Sequence, residues 1–262
     1  MSIGAASRSP LFVGNEETIL WQWNETDLSQ FEEAYRTPGA DGVLSVDTNL
    51  DEPYQPILKM ESAGGGAVND YVFWRLLNPN GSRLVIPPRA KMSCLLGPRS
   101  SAAGANYGQN VTPHVWLWYV DEEHRIGLNN QLISADANSL SLIISNGDGD
   151  PHARSGEGLT NLKPDFRDSG DPVFLDLDMR KPSAGVDPGG RALFGGDFGE
   201  DTHQVILGSN VWTPYDGGTP PSTAWSAGWN GEVNAAIGFH KPGTGTGITH
   251  ISRLVITVPK GY

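Results

Sequence analysis

Apolar residues recur along the chain with period two, or in short continuous runs, almost from end to end. That is the pattern of half-buried and fully buried strands. Strands are predicted over residues 18–23, 42–47, 56–61, 70–77, 83–86, 91–96, 114–120, 139–145, 172–179, 203–207, 233–240 and 251–258. They are short and rich in β-branched and aromatic residues. Turn chemistry separates them: Gly64-Gly65-Gly66, Asn78-Pro79-Asn80-Gly81, Asp216-Gly217-Gly218 and Lys241-Pro242-Gly243. Asn80-Gly81 is the strongest of these signals and predicts a hairpin with positive φ at both central residues. Ser29-Gln30-Phe31-Glu32 matches a capping box, with Leu28, Phe31 and Tyr35 at helical spacing, and reads equally as an irregular strand.

Roughly a dozen strands and almost no helix predict an all-β fold, an antiparallel β-sandwich of jelly-roll type with long loops. Two glycine-rich polar stretches, residues 146–170 and 213–231, are predicted as those loops. No internal repeat is visible, so the expected organisation is an extended N-terminal arm over 1–17 and one sandwich domain over 18–262. The 146–170 stretch is the best candidate for a boundary within it.

Composition agrees with many turns. Of 262 residues, 33 are glycine and 19 proline, high for a globular protein yet below the level of disorder. Net charge is −12, which disfavours nucleic acid and anionic lipid as partners, and no run of Lys or Arg offers a local exception. The one cysteine, Cys94, lies in an apolar run and reads as a small buried hydrophobe. No apolar stretch is long enough for a transmembrane helix, and the first residues lack a signal-peptide pattern, so synthesis in a cytoplasm is expected.

Eight tryptophans are the most informative side chains. Trp21 and Trp23, and likewise Trp116 and Trp118, are two residues apart, which places each pair on one face of its strand, as core or as an aromatic platform. Trp212, Tyr215, Trp225 and Trp229 lie in or beside the 213–231 loop and are the candidate contacts for a glycan or a protein partner. Asn146, Asp148 and Asp150 alternate with glycines, an oxygen-rich turn that is a weak calcium candidate; no Glu completes an EF-hand. No other cofactor is expected. Asp176 and Asp178 share a strand face with Phe174, as a carboxylate pair for glycoside cleavage requires. The histidines at 114, 124, 152, 203, 240 and 250 show no metal-ligand spacing, and His114 and His124 flank a polar turn at Asp121-Glu122-Glu123. No nucleophile elbow, Walker loop or Cys-x-x-Cys pair occurs, so no catalytic residue is assigned.

The start Trp21-Gln22-Trp23, followed by Asp27-Leu28-Ser29-Gln30-Phe31, and the closing run His250-Ile251-Ser252-Arg253-Leu254-Val255-Ile256-Thr257-Val258 resemble the jelly-roll sandwiches of concanavalin-like lectins, carbohydrate-binding modules and many virion surface proteins. The resemblance implies that first and last strands pair. Jelly-roll retaining glucanases carry Glu-x-Asp-x-x-Glu; the corresponding run here, Asp176-Leu177-Asp178-Met179-Arg180-Lys181, has neither Glu. The first ten residues are small and polar and do not fold alone, so an ordered arm needs a neighbouring subunit to hold it. Arm, acidic charge and jelly-roll layout together predict a non-enzymatic structural protein of a virion. A capsid decoration protein or a tail or fibre component of a tailed bacteriophage fits this best, homo-oligomeric and contacting other virion subunits through its arm. A lectin-like glycan-binding module is the first alternative and a polysaccharide-cleaving enzyme the second.

Overall fold

A computed structural model describes residues 16–24, 26–47, 57–62, 70–97, 111–134, 137–146, 152–153, 159–162, 171–179, 190–198, 201–207, 232–241 and 246–262. The described strands are β1 (Glu17–Gln22), β2 (Phe31–Arg36), β3 (Val43–Asp47), β4 (Ile57–Ser62), β5 (Asp70–Leu76), β6 (Arg89–Gly97), β7 (Thr112–Tyr119), β8 (His124–Ser134), β9 (Ala137–Asn146), β10 (His152–Ala153), β11 (Leu159–Leu162), β12 (Asp171–Met179), β13 (Gly190–Phe198), β14 (Asp201–Leu207), β15 (Asn234–Lys241) and β16 (Gly247–Pro259). They form two antiparallel sheets. The first runs β14-β13-β12-β6-β16-β4-β3, with β1 also on β16; the second runs β10-β9-β8-β7-β15-β5-β2, with β11 also on β9. The predicted all-β antiparallel sandwich is therefore the fold.

First and last strands pair, Glu17 opposite Pro259 and Gln22 opposite Val255. β16 changes neighbours along its length: its start pairs with β4 and its end with β1. The change falls at a register shift against β6 between Ser252 and Val255, where Arg253 takes φ 51°. A bulge of this kind bends one strand so that two can share its free side.

Between the sheets lies one core. Alternate residues of β6, β12 and β16 (Met92, Cys94, Val173, Leu175, Leu254, Ile256) meet alternate residues of β5, β7, β8 and β15 (Val72, Trp74, Val115, Ile126, Leu128, Ile237), all essentially without exposure. Each such side chain contributes about 2 kcal/mol through removal from water. Cys94 sits here, and burial pushes its thiol pKa well above the ordinary value, as suits an inert core residue. Trp21 and Trp23 also enter this core, their indole N–H groups donating to the Leu77 and Asp27 carbonyls.

Of the two readings of the Leu28–Tyr35 segment, the irregular strand holds: a single 3-10 turn, Leu28–Gln30, capped by Asp27, whose carboxylate accepts from the Ser29 N–H, leads into β2 at Phe31, with a register shift between Glu33 and Tyr35. Three expectations need correction. The Asn80-Gly81 hairpin forms, with Gly81 donating to the Asn78 carbonyl at 2.8 Å, but only Gly81 has positive φ (81°). Pro79 is the reason: at the second turn position it fixes φ near −65°, which excludes a type I′ turn. Residues 83–86 do not form a strand beyond a bridge between Leu77 and Arg83, because Pro87 and Pro88 cannot donate to a ladder. The predicted 146–170 loop contains β10 and β11, both on β9. Two strands arise where none is expected, β8 and β13. Each carries residues poor in strand propensity (Gly127, Asn129 and Asn130; Gly195, Gly196 and Asp197), yet each has a partner on both sides.

Candidate functional site

The residues singled out from sequence divide between described and undescribed parts of the chain. Trp212, Tyr215, Trp225 and Trp229 lie outside the described residues, as do Asp148 and Asp150. Asn146 ends β9, with its backbone opposite His124. Among the described residues no three His, Cys, Asp or Glu side chains gather as a metal site. The arm expected to contact other virion subunits lies, over residues 1–15, outside the described residues.

Asp176 falls on an outward position of β12, and cationic residues stand opposite it and Asp178 in the strand register. Asp176 pairs in register with Lys91, and Asp178 with Arg89 and Arg191. A shallow depression on this face is lined by Glu16, Glu17, Arg89, Lys91, Asp176 and Thr257. In it Lys91 Nζ lies 3.0 Å from Glu17 Oε1, and Thr257 donates to Glu17 Oε2 at 3.0 Å.

The more unusual face belongs to the second sheet, on the side away from the core. An antiparallel sheet in a sandwich normally turns polar residues outward. Here β7 is buried on both faces along its whole length. Its core side carries Val115, Leu117 and Trp118; its outer side carries His114, Trp116 and Tyr119. Trp116 and Trp118 therefore point to opposite faces, contrary to their spacing. The cause is a bulge: across the same step β8 advances only from Gly127 to Ile126, so Leu117 and Trp118 both turn inward.

Outward positions of the neighbouring strands complete the face. β5 supplies Tyr71, Phe73 and Arg75, β8 Arg125, and β15 His240. Phe73 meets Trp116 edge-on at 5.7 Å and stacks with Tyr35 at 5.8 Å. His114 stacks on Trp116 at 5.0 Å, and His240 on Tyr71 at 4.3 Å. Two glycines let these rings lie down on the sheet. A Cβ on Gly127 would stand 2.7 Å from the Trp116 ring, and one on Gly238 would stand 2.4 Å from the Phe73 ring.

Into this arrangement projects Arg125. Its guanidinium carbon is 4.8 Å from the centre of the Phe73 ring, 4.9 Å from that of Trp116 and 5.8 Å from that of Tyr71. Cation–π attraction to several rings offsets part of its desolvation, at about 1–2 kcal/mol per desolvated contact. It supplies no hydrogen-bond acceptor. Arg125 is 4 % exposed and its Nε–H has no partner; neither ring nitrogen of His114 has one, nor does the Trp116 indole N–H. Arg75, at the rim, faces Glu32 at 3.7 Å. No Asp or Glu occupies an outward position of β7, β8 or β15 beside these groups.

The electrostatics follow from burial. Desolvation, reinforced by the His240 and Arg125 charges, holds the His114 pKa well below its ordinary value. Desolvation and then Arg125 lower His240 to about 4, against a smaller opposing pull from Asp70. Both imidazoles are neutral at pH 7. In the unfolded chain they take up protons near pH 6.5. Between that pH and about 4 the unfolded state binds more protons, so stability is fully present above 6.5 and falls as the pH drops. For His240 the full loss is up to about 3 kcal/mol. Urea midpoints at pH 7 and 4.5 should therefore differ, and His240→Gln should reduce the difference; an unchanged difference would mean that His240 does not titrate in this way.

Sequence reading did not find this face. A signal was present: β5 and β7 carry aromatic or imidazole residues at outward positions 71, 73, 114 and 116, where a solvent-facing strand would be polar.

No family model and no curated protein matches the chain. Among solved structures it resembles the exoplasmic/lumenal domain of VIP36 in a form bound to Ca2+ and Man3GlcNAc (12% identity, 86% of this chain and 88% of that one, TM-score 0.41). It also resembles an endo-1,3-beta-glucanase from Streptomyces sioyaensis (8%, 94% and 98%, 0.47) and the Emp47p carbohydrate recognition domain (8%, 89% and 99%, 0.40). These likenesses are distant, and the sandwich assignment rests on the two sheets of the chain itself.

Proposed function

We propose that the chain is a glycan-binding module and that the outer face of the second sheet is its binding surface. The observation that carries this reading is the coincidence, on one sheet face, of a floor of aromatic rings with buried donors that lack acceptors: His114, Trp116 Nε1 and Arg125 Nε. Sugar rings offer both complements, apolar C–H faces for the aromatics and oxygen acceptors for the donors. A buried donor left unpaired costs about 1–3 kcal/mol, so a ligand that pairs it gains that much affinity. Among the described residues no carboxylate pair stands beside these rings to serve as acid and nucleophile, so the reading is binding rather than hydrolysis. An assembly role in a virion finds no support among the described residues.

The rings are closed to solvent in this structure, so binding requires the face to open. Association should then be slower than the usual 10⁵–10⁷ M⁻¹s⁻¹.

The test is a glycan array probed with the full chain, followed by titration of the best ligand. Trp116→Phe keeps one aromatic ring but removes the indole N–H together with part of a fully buried ring. It should lower the melting temperature as well as weaken binding at least about five- to tenfold, the worth of the lost hydrogen bond. If no glycan binds at millimolar concentration, the reading is wrong. If Trp116→Phe is silent while Trp225→Ala or Trp229→Ala abolishes binding, the surface is the 213–231 loop instead.

A further inference from the structure

Arg125 is the member of this face that a neutral sugar explains least. A guanidinium stays charged at any ordinary pH and carries five N–H donors in a plane. On this sheet it is 4 % exposed, packed between the rings of Phe73 and Trp116, with no acceptor on Nε. Among the described residues no carboxylate stands at ion-pair distance from it, and Glu122 of the turn before β8 acts on it only from farther away. Of its polar neighbours, neutral His114 can donate from one ring nitrogen, and the Trp116 indole can only donate. Buried cations are normally paired, because an uncompensated charge in a low-dielectric site is strongly unfavourable. The chain as a whole carries −12, so diffuse attraction cannot bring an anion here; a specific local contact is needed.

We infer that the ligand of this face is an anionic glycan, its carboxylate or sulfate group seated on Arg125 with His114 and Trp116 as flanking donors. The inference rests on the glycan-binding reading and narrows it to one class of sugar. Arg125 then has a counter-charge in direct contact when ligand is bound, where the free protein offers it only the longer-range field of Glu122. A planar guanidinium also matches the two oxygens of a carboxylate or sulfate as a fork, which a lysine would not.

Two matched pairs of polysaccharide separate charge from sugar: polygalacturonate against its methyl ester, and dextran sulfate against dextran. Each is immobilised and titrated with the full chain in 0.15 M salt. The expected result is at least tenfold tighter binding to the charged member of one pair. Arg125→Met should abolish that preference while melting no lower than the parent, since an apolar side chain suits a ring-lined site. Arg125→Lys should recover only part of the affinity. Equal binding to both members of each pair overturns the inference and leaves the glycan-binding reading standing. Failure of every glycan, charged or neutral, on array and surface overturns both. Arg125→Met binding the charged polymer like the parent also overturns the inference, even if the preference for charge is real.

Discussion

Gly238→Ala should lower the melting temperature by about 6–12 °C, the shift that roughly 3 kcal/mol produces in a chain of this size. A Cβ at Gly238 would stand 2.2 Å from the Val72 carbonyl oxygen as well as 2.4 Å from the Phe73 ring. The ring could swing away, but the oxygen belongs to a strand held in register, with Phe239 opposite Val72 and Gly238 opposite Phe73. Relief therefore means moving β5 away from β15 in the middle of the second sheet. Overpacking of this sort typically costs about 1–3 kcal/mol, and a backbone contact belongs at the upper end. Gly127→Ala should behave alike, with its Cβ 2.0 Å from the Val115 oxygen. Gly81→Ala is the contrast. Nothing lies within 4 Å of its Cβ, and only the positive φ is strained, at about 1 kcal/mol. Thermal unfolding followed by circular dichroism ranks the three; Gly238→Ala melting as high as Gly81→Ala would remove the steric account.

Those glycines also explain what the sequence could and could not disclose. The sandwich is legible because its cause is local. In β12, Val173, Leu175 and Leu177 face the core while Phe174 and Asp176 face outward, and such alternation is written directly into the chain. The pairing of first and last strands is not written in the alternation; the resemblance to jelly-roll sandwiches implies it. β8 and β13 are hidden for the opposite reason. Gly127 has poor strand propensity, yet its lack of a side chain is what allows Trp116 to lie across the strand beside it. Propensity records the average environment of a residue, whereas Gly127 answers to one particular neighbour.

The aromatic face of the second sheet was hidden more deeply. Spacing by two puts Trp116 and Trp118 together, but a bulge at Leu117 separates them, and nothing in the sequence marks where a bulge falls. Arg125 is remote in sequence from Phe73 and His240, and only the order β8-β7-β15-β5 brings them onto one surface. Asp176 and Asp178 show the reverse. Their spacing by two is legible from the sequence alone, while the arginines and lysine that stand opposite them in register arrive on β6 and β13.

Asp70→Ala should cost about 3–5 kcal/mol, and adding a second substitution should restore most of it. Asp70 and Lys241 are cross-strand partners on β5 and β15, both fully buried. Lys241 Nζ lies 3.4 Å from Asp70 Oδ2 and 3.5 Å from Asp41 Oδ1, and neither Asp70 oxygen accepts a hydrogen bond. Asp41 in turn accepts from Ser62 of the first sheet at 2.6 Å, so the group links the two sheets. Desolvating both ions consumes most of their mutual attraction, and at this separation, without hydrogen bonds, the pair adds little net stability. Removing Asp70 alone is different, because Lys241 stays buried with only the partly exposed Asp41 to answer it. The double variant Asp70→Leu with Lys241→Met takes both charges away and leaves Asp41 its Ser62 contact. Its urea midpoint should lie within about 1 kcal/mol of the parent or above it, at an unchanged m-value. If the double variant is as unstable as Asp70→Ala, the ion pair itself holds the sheets together, and desolvation does not outweigh attraction at this site.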